Sequence, residues 1–221
     1  MDNLDIFPHI DHTLLKATAT AEQITQLCEE ALLYRTASVC IPASYIKFAR
    51  EKFPELNICT VIGFPLGYST TAVKCFEARD AIQNGADEID MVINLGLVKD
   101  GRFAEVEREI AEVKKACGEK ILKVIIETCY LDEHEKIELC KCVTNAGADY
   151  IKTSTGFGTA GANIEDIRLF KQHIGKNVKI KAAGGVKTKT DLEMFLGEGC
   201  ERIGTSSAVK LLTGQDTDGS Y

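Results

Sequence analysis

The amino-acid sequence predicts a single α/β domain, a (β/α)8 TIM barrel, from three observations. Short apolar runs rich in β-forming residues alternate along the chain with amphipathic segments of helix length. Eight such runs can be counted in 221 residues, a length that suits one sizeable domain. Strict alternation favours parallel strands joined by crossover helices, and eight units of this size fit a compact barrel. A doubly wound open sheet is the alternative that the same alternation allows.

The strand candidates follow one another at regular intervals. In chain order they are Ile10–Thr13, Ala37–Ile41, Ile58–Gly63, Glu88–Ile93, Ile121–Thr128, Asp149–Thr153, Val178–Ala182 and Arg202–Gly204. The helical segments between them include Ala21–Tyr34, Thr71–Asn84, Phe103–Cys117 and Glu133–Asn145. Thr20 and Asp132 directly precede two of these segments, and both residue types are favoured as helix N-caps. We assign residues 1–212 to the barrel and the polar residues 213–221 to a flexible C-terminal tail.

Composition and charge limit the possible functions. The formal net charge of −7 argues against general nucleic-acid binding, which requires a basic face. No apolar run is long enough to span a membrane, and the first residues do not resemble a signal peptide. The nine cysteines form no CxxC pair, and the four histidines show no metal-ligand spacing. We therefore expect a cytoplasmic protein with reduced thiols, no cofactor and no metal.

Three segments share a pattern that sets the register of their strands. They are Gly85–Asp90, Gly147–Lys152 and Gly199–Gly204, and in each an acidic residue lies two places after the first glycine and an isoleucine four places after it. A glycine at the C′ position of a helix supplies the left-handed turn into the next strand. The pattern gives Asp90, Lys152 and Gly204 equivalent positions on strands four, six and eight. Because alternate strands supply one interior layer of a TIM barrel, we predict that Asp90 and Lys152 lie at the same height.

Lys152 is the first candidate for a chemical role. It opens the sequence Lys-Thr-Ser-Thr-Gly-Phe at the end of the sixth predicted strand. Burying an ammonium group in an apolar strand is costly, so this lysine either reaches solvent or has a function. The hydroxyl-rich run that follows lies at the carboxyl end of a strand, where TIM-barrel active sites are found. This position favours a catalytic lysine.

The seventh strand contains two further lysines, Lys179 and Lys181. They are two residues apart and therefore share a face of the strand. If that face is the interior, Lys181 lies beside Lys152, and repulsion between the ammonium groups helps one of them to lose its proton. A neutral amine is what a Schiff-base nucleophile needs. Lys181 could also be a rim cation for a substrate phosphate, and we interpret Lys179 as structural, paired with an interior carboxylate.

Asp90 is the third candidate, a carboxylate between β-forming residues. It either pairs with a lysine or transfers protons, and near Lys152 and Lys181 it could do both. Glu127 is a weaker candidate of the same kind. Because Lys123 and Glu127 share a face of the fifth predicted strand, a structural ion pair between them is the favoured interpretation.

Two glycine-rich turns predict a phosphate site. Gly184 and Gly185 follow the seventh strand, and Gly204–Ser207 follows the eighth and leads into a short helix. Loops after strands seven and eight form the recurrent phosphate site of this fold. Gly204 would let the backbone approach an anion, and Ser206 or Ser207 would cap the helix or donate to the phosphate.

Motifs spread in order over almost the whole chain identify a family. They are Ile10–Leu15, Ser38–Pro42, Val61–Gly67, Gly85–Asn94, Lys123–Thr128, Gly147–Phe157, Lys181–Thr188 and Gly204–Ser207. The two most specific are Lys152-Thr-Ser-Thr-Gly and Lys181-Ala-Ala-Gly-Gly. With these motifs the chain resembles the deoxyribose-phosphate aldolase family.

The resemblance implies a class I aldolase that reversibly cleaves 2-deoxy-D-ribose 5-phosphate into D-glyceraldehyde 3-phosphate and acetaldehyde, in deoxyribonucleotide catabolism. It implies that Lys152 forms the Schiff base, that Lys181 lowers the pKa of Lys152, and that Asp90 works with Lys181 in proton transfer. It assigns the 5-phosphate to Gly156, Gly184, Gly185, Gly204, Ser206 and Ser207. The expected partner is a small phosphorylated sugar, with a homodimer as the possible assembly and with neither nucleic acid nor membrane as a partner.

Two positions depart from the pattern of some relatives. Phe157 stands where some members carry lysine, and Lys187 where many carry arginine. Each change removes a charge or a bidentate fork directed at phosphate, which puts the strength of phosphate binding in question. At the chain end, we expect Tyr221 to close over the substrate at times and help exclude water, since related aldolases also tend to end in tyrosine.

Two other functions are compatible with the same barrel. The first is another Schiff-base lyase or a transaldolase, which would keep Lys152 and prefer a donor larger than acetaldehyde. The second is a catalytically silent sugar-phosphate-binding barrel. The presence of all three candidate catalytic residues counts against the silent barrel.

Overall fold

The computed structural model of the protein describes residues 2–214, and in them eight parallel strands form a closed barrel. The strands are β1 (Ile10–Thr13), β2 (Ser38–Cys40), β3 (Ile58–Ile62), β4 (Glu88–Val92), β5 (Ile121–Ile125), β6 (Tyr150–Lys152), β7 (Lys179–Ala183) and β8 (Arg202–Thr205). They follow chain order around the barrel, and β8 pairs with β1 to close it. The predicted (β/α)8 barrel is confirmed, and the open sheet is excluded.

Helices connect the strands and surround the barrel. They are α1 (Asn3–Ile6), α2 (Ala21–Tyr34), α3 (Ile46–Lys52), α4 (Thr71–Gln83), α5 (Leu95–Lys99), α6 (Phe103–Cys117), α7 (Glu133–Asn145), α8 (Ile164–His173), α9 (Lys189–Glu198) and α10 (Ala208–Thr213). Three of the four helices whose bounds were predicted begin and end at the predicted residues, and α4 ends one residue early. Thr213 still belongs to α10, so the predicted tail begins inside this helix. Residues 215–221, including Tyr221, lie outside the described residues.

Capping boxes fix the starts of α2 and α7, as the sequence predicts. The hydroxyl oxygen of Thr20 accepts a hydrogen bond from the backbone N–H of Gln23, whose side chain accepts one from the backbone N–H of Thr20. Asp132 and Glu135 make the same reciprocal pair of bonds. An N-cap of this kind stabilises a helix by about 1 kcal/mol. Thr20 and Asp132 are therefore confirmed as N-caps.

Apolar side chains fill the layer between the strands and the helices, whereas the middle of the barrel is charged. On β4, Ile89 and Met91 belong to the large hydrophobic core that packs strands against helices. Glu88 and Asp90 alternate with them and point into the barrel, where both are buried. TIM-barrel interiors usually hold bulky branched apolar residues, so this polar interior needs a specific explanation. Within residues 2–214, no helix combines the length and apolar character needed to cross a membrane.

Candidate active site

The strand register arranges the inward side chains in three layers of four. The strands of an eight-stranded barrel are tilted. If hydrogen-bonded partners are followed across two strands, the residue at the same height is therefore found two positions away from the residue reached. The bottom layer holds Ser38, Glu88, Tyr150 and Arg202; the middle layer holds Asp11, Cys59, Lys123 and Lys181; and the top layer, nearest the carboxyl ends of the strands, holds Cys40, Asp90, Lys152 and Gly204. Asp90 and Lys152 thus share a layer, as the repeated glycine pattern predicts.

The carboxylate of Asp90 joins the three predicted catalytic residues. Lys152 and Lys181 each donate to its Oδ2 atom at 2.7 Å, and Lys123 donates to Oδ1 at 2.8 Å. Asp90 and Lys181 are fully buried, and Lys152 is 3% exposed. Lys152 is also the direct register partner of Lys181 on the neighbouring strand. The structure therefore brings Asp90, Lys152 and Lys181 together around one oxygen atom.

A second set of charged residues lies below and supports this group. Asp11 contacts Lys181 at 2.5 Å and Arg202 at 2.6 Å, and Glu88 contacts Lys123 at 2.5 Å. Arg202 also donates to both carboxylate oxygens of Glu88, at 2.9 and 3.0 Å. The sequence did not indicate Asp11, Glu88 or Arg202 as residues of the site. Glu88 and Arg202 each stand two residues before an inward position, so strand alternation could have identified them.

Mutual attraction keeps this cluster ionised despite its burial. Burial by itself would raise the pKa of Asp90, but the charges of Lys123, Lys152 and Lys181 outweigh it and hold that pKa well below its usual range. Burial would lower the pKa of Lys181, but Asp11 and Asp90 outweigh it and raise that pKa well above its usual value. Lys181 is therefore a fixed cation at neutral pH.

Two predicted ion pairs are wrong. Lys123 does not pair with Glu127, because it points into the barrel toward Asp90 and Glu88, whereas Glu127 lies beyond the end of β5. Within residues 2–214, Lys179 makes no ion pair with an interior carboxylate. It lies below the bottom layer, where β7 begins, and its exposed side chain places Nζ 5.8 Å from the centre of the Tyr150 ring. Both errors come from treating a shared strand face as sufficient for contact.

Lys123 and Lys179 offer a matched test of this charged interior, since both are register partners of Tyr150. Lys123→Met should lower the free energy of unfolding by about 3–5 kcal/mol, because it removes one partner from a buried ionic network. Lys179→Met changes an exposed side chain and should alter stability by less than about 0.5 kcal/mol. Urea unfolding measures both values. Equal effects would contradict the interior charge network.

Of the residues predicted to bind phosphate, Gly204 lies in β8 and the others lie in the loops after β6, β7 and β8, at the same end of the barrel. Gly156, Gly184 and Gly185 have φ values of 88°, 76° and 75°, a region that favours glycine. A Cβ atom on Gly184 would lie 3.2 Å from the Cα of Gly161 and 3.4 Å from the Cα of Gly156, so these loops pack backbone against backbone. Because glycine has no side chain, these three residues can offer only backbone groups, such as N–H, to a bound anion.

Gly204 and the serines differ in detail from their predicted roles. A Cβ atom on Gly204 would lie 3.1 Å from Cε of Lys181, so this glycine makes room for that lysine beside Asp90. Ser207 precedes α10, but its side chain makes no capping hydrogen bond, and its backbone N–H donates to Oγ1 of Thr205 at 3.1 Å. Ser207 therefore does not cap α10 through its side chain, and its other predicted role, donation to the phosphate, stays a prediction. Phe157, in the loop after β6, is 49% exposed and packs edge-on against Phe64, while Lys187 is exposed.

A parallel eight-stranded barrel with buried lysines around a carboxylate, close to the loops at the carboxyl ends of its strands, defines a TIM-barrel enzyme with a lysine-rich active site. The model of the DeoC/LacD family aldolases matches residues 6–212. The chain belongs to this family and is an aldolase, a lyase that acts on carbon–carbon bonds.

Relatives and solved structures agree with this assignment. The chain is 60% identical to the deoxyribose-phosphate aldolase of Clostridium botulinum (strain Alaska E43 / Type E3), over 99% of this chain and 100% of that protein. It is 60% identical to that of Clostridioides difficile (strain 630), over 96% of this chain and 97% of that protein. The structure of the tetrameric deoxyribose phosphate aldolase from Aeropyrum pernix matches with a TM-score of 0.87 and 32% identity, covering 96% of this chain and 92% of that one. The structure of QR15, an aldolase, matches with a TM-score of 0.91 and 34% identity, covering 95% of each chain.

Proposed function

We propose that this chain is a class I aldolase that reversibly cleaves 2-deoxy-D-ribose 5-phosphate into D-glyceraldehyde 3-phosphate and acetaldehyde through a Schiff base on Lys152. The observation that carries the proposal is the shared Oδ2 atom of Asp90, which lies 2.7 Å from both Lys152 and Lys181. A nucleophilic amine and a fixed cation are thus both in contact with one carboxylate that can accept protons. The names of the relatives support this choice of substrate.

The first step is attack of Lys152 on the C1 aldehyde. Asp90 Oδ2 accepts a hydrogen bond from the Lys152 ammonium and directs its proton to a water molecule, and the neutral amine adds to the carbonyl carbon. Loss of water then gives the protonated Schiff base. Lys181 remains a cation throughout, because Asp11 and Asp90 raise its pKa, so it holds the Asp90 carboxylate in place.

The second step breaks the bond between C2 and C3. A base removes the proton of the C3 hydroxyl, the C2–C3 electrons move to the Schiff base nitrogen, and D-glyceraldehyde 3-phosphate leaves. The enamine that remains on Lys152 is protonated at C2, and water releases acetaldehyde. Asp90 is placed to exchange both protons, directly or through a water molecule.

The 5-phosphate is proposed to bind among Gly156, Gly184, Gly185, Ser206 and Ser207, with Gly204 at the floor of the site. Apart from Gly204, which lies in β8, these residues belong to three neighbouring loops at the end of the barrel nearest Lys152. Positive φ values leave the glycine backbones open to an anion, which favours contacts from N–H groups. The predicted homodimer and cytoplasmic location stay predictions.

The test is reductive trapping with borohydride in the presence of acetaldehyde, followed by peptide mass mapping. Reduction of the Schiff base should leave an ethyl group on Lys152. Lys152→Met should lose the label, and Lys179→Met, which alters an exposed lysine, should keep it. A label mainly on another lysine would refute the assignment. Absence of any label, with binding of phosphate esters intact, would favour the silent binding barrel instead.

Glu127 offers a test of the phosphate loop. It is buried, adopts a left-handed conformation (φ 54°) and accepts hydrogen bonds from the backbone N–H of Thr155 at 3.1 Å and from the Thr155 hydroxyl. The Thr155 hydroxyl oxygen in turn accepts from the backbone N–H of Phe157 at 3.0 Å. Glu127 thereby orders the segment that contains Gly156. A non-glycine residue held in this backbone region is often found at functional sites.

Glu127→Gln should therefore lower kcat/KM for 2-deoxyribose 5-phosphate about tenfold, the equivalent of one well-placed hydrogen bond to a charged group. The same variant should change kcat/KM for unphosphorylated 2-deoxyribose by much less, because that substrate does not use the loop. Glu138→Gln, which alters a surface pair with Lys141, is the matched control. An equal loss with both substrates would mean that Glu127 does not act through phosphate binding.

A further inference from the structure

Two thiols lie beside Asp90 without a part in the proposed reaction. Cys40 and Cys59 are direct register partners on β2 and β3, and both are fully buried. The Cys59 thiol donates to Oδ1 of Asp90 at 3.1 Å. The two sulfur atoms and a carboxylate oxygen of Asp90 all lie within 4.8 Å of one another. Three possible ligand atoms for a metal ion are therefore close together.

Two sulfur atoms and one carboxylate oxygen form a donor set suited to thiophilic divalent cations, which favour tetrahedral sites with sulfur ligands. We propose that Cys40, Cys59 and Asp90 bind one thiophilic divalent cation of the Zn²⁺ or Cd²⁺ type, and that this ion is a reversible inhibitor of the enzyme. Hard cations such as Mg²⁺ prefer six oxygen ligands and do not suit this set.

The charge of the barrel interior permits such an ion. Binding to sulfur replaces two thiol protons with two positive charges, so the net charge of the interior does not change. Lys123 Nζ lies 3.2 Å from the sulfur of Cys59 and would stabilise a metal-bound thiolate by a hydrogen bond. The four cations and three carboxylates already present therefore remain in an interior of unchanged net charge.

A cavity lies close to the thiols. It has a volume of about 330 Å³ and opens at the end of the barrel beyond β1, β2 and β3. Leu15, Val61 and Phe64 line it, and the same three side chains pack against Cys40 and Cys59. Small movements of these side chains would connect the cavity with the thiol pair.

The two oxygens of Asp90 explain why the ion would inhibit. Oδ2 faces Lys152 and Lys181, whereas Oδ1 faces Cys59 and Lys123. A cation on Oδ1 withdraws electron density from the carboxylate and weakens it as a proton acceptor at Oδ2. We therefore expect the ion to lower kcat more than it weakens the affinity for the substrate. This consequence rests on the proposed function, but binding of the ion does not.

The binding test is a Cd²⁺ titration of metal-free protein, followed by the ultraviolet absorption of cadmium–thiolate bonds. We expect saturation at one equivalent in the unaltered chain and loss of that signal in Cys40→Ser and in Cys59→Ser. Cys129→Ser, which removes the most accessible thiol, should keep the signal. Circular dichroism shows whether each variant is folded, and Cys40→Ser alone decides if Cys59→Ser does not fold. An unchanged signal in folded Cys40→Ser would overturn the proposal.

The inhibition test follows aldol cleavage in the same samples. Turnover should fall at least tenfold with the same midpoint as the absorption signal, return on addition of a chelator, and be unaffected by Mg²⁺. Inhibition that persists in Cys40→Ser, or saturation of the absorption signal without inhibition, would also overturn the proposal. A chain that shows no aldol cleavage before Cd²⁺ is added would refute the proposed function, while the absorption titration would still test the metal site.

Discussion

Lys152→Met should abolish aldol cleavage while leaving the protein folded. Without the amine there is no Schiff base, and removal of a covalent nucleophile commonly costs about four orders of magnitude or more in rate. Stability should change less than in Lys123→Met, because within residues 2–214 Lys152 pairs with one carboxylate whereas Lys123 contacts three, and Asp90 keeps Lys123 and Lys181 as partners. Steady-state kinetics and urea unfolding measure the two effects.

Lys179→Met is the control for the loss of a lysine from the same barrel, and it should retain normal turnover. Residual activity of Lys152→Met above about one per cent would show that another amine can form the Schiff base. A variant that unfolds would instead show that Lys152 is an essential part of the charge network. The two outcomes are separated by measuring kinetics only on samples with a native circular dichroism spectrum.

Lys181→Leu should also reduce turnover strongly, but by a different route and with a cost in stability. It removes the positive charge next to Lys152, and without that repulsion the Lys152 amine should be a weaker Schiff-base nucleophile near neutral pH. It also leaves Asp11 and Asp90 without a contact at 2.5 and 2.7 Å. Removing one member of a buried ionic network costs about 3–5 kcal/mol.

The pH dependence separates the two roles of Lys181. If the main role of Lys181 is to repel the proton of Lys152 by its positive charge, part of the lost turnover should return at alkaline pH, where more of the Lys152 amine is neutral. If its contact with Asp90 dominates, the loss should be the same at every pH. Lys187→Leu, which removes an exposed lysine, is the control for charge at the mouth. Near-normal turnover of Lys181→Leu at neutral pH would contradict both roles.

Local rules account for what the sequence predicted well. Thr20 and Asp132 begin helices because each accepts a hydrogen bond from a backbone N–H only three residues away. The end of β5 was predicted three residues too late, because nothing local shows that Glu127 adopts a left-handed backbone and turns the chain. That conformation is held by Thr155, from a different strand-loop unit. Long-range contacts of this kind leave no local pattern.

The sequence by itself predicted the barrel, its alternating elements and the grouping of Asp90 with Lys152 and Lys181. These follow from periods of two and 3.6 residues and from motifs, which are properties of neighbouring residues along the chain. Only the tertiary structure decided the partners of the two other lysines on these strands, Lys123 and Lys179. It placed Lys123 at the centre and left Lys179 exposed, although a shared strand face favoured interior partners for both. The physical reason is the stagger between strands in a closed barrel. Closure by pairing of β8 with β1 sets the tilt of the strands, and this tilt determines which residues share a layer.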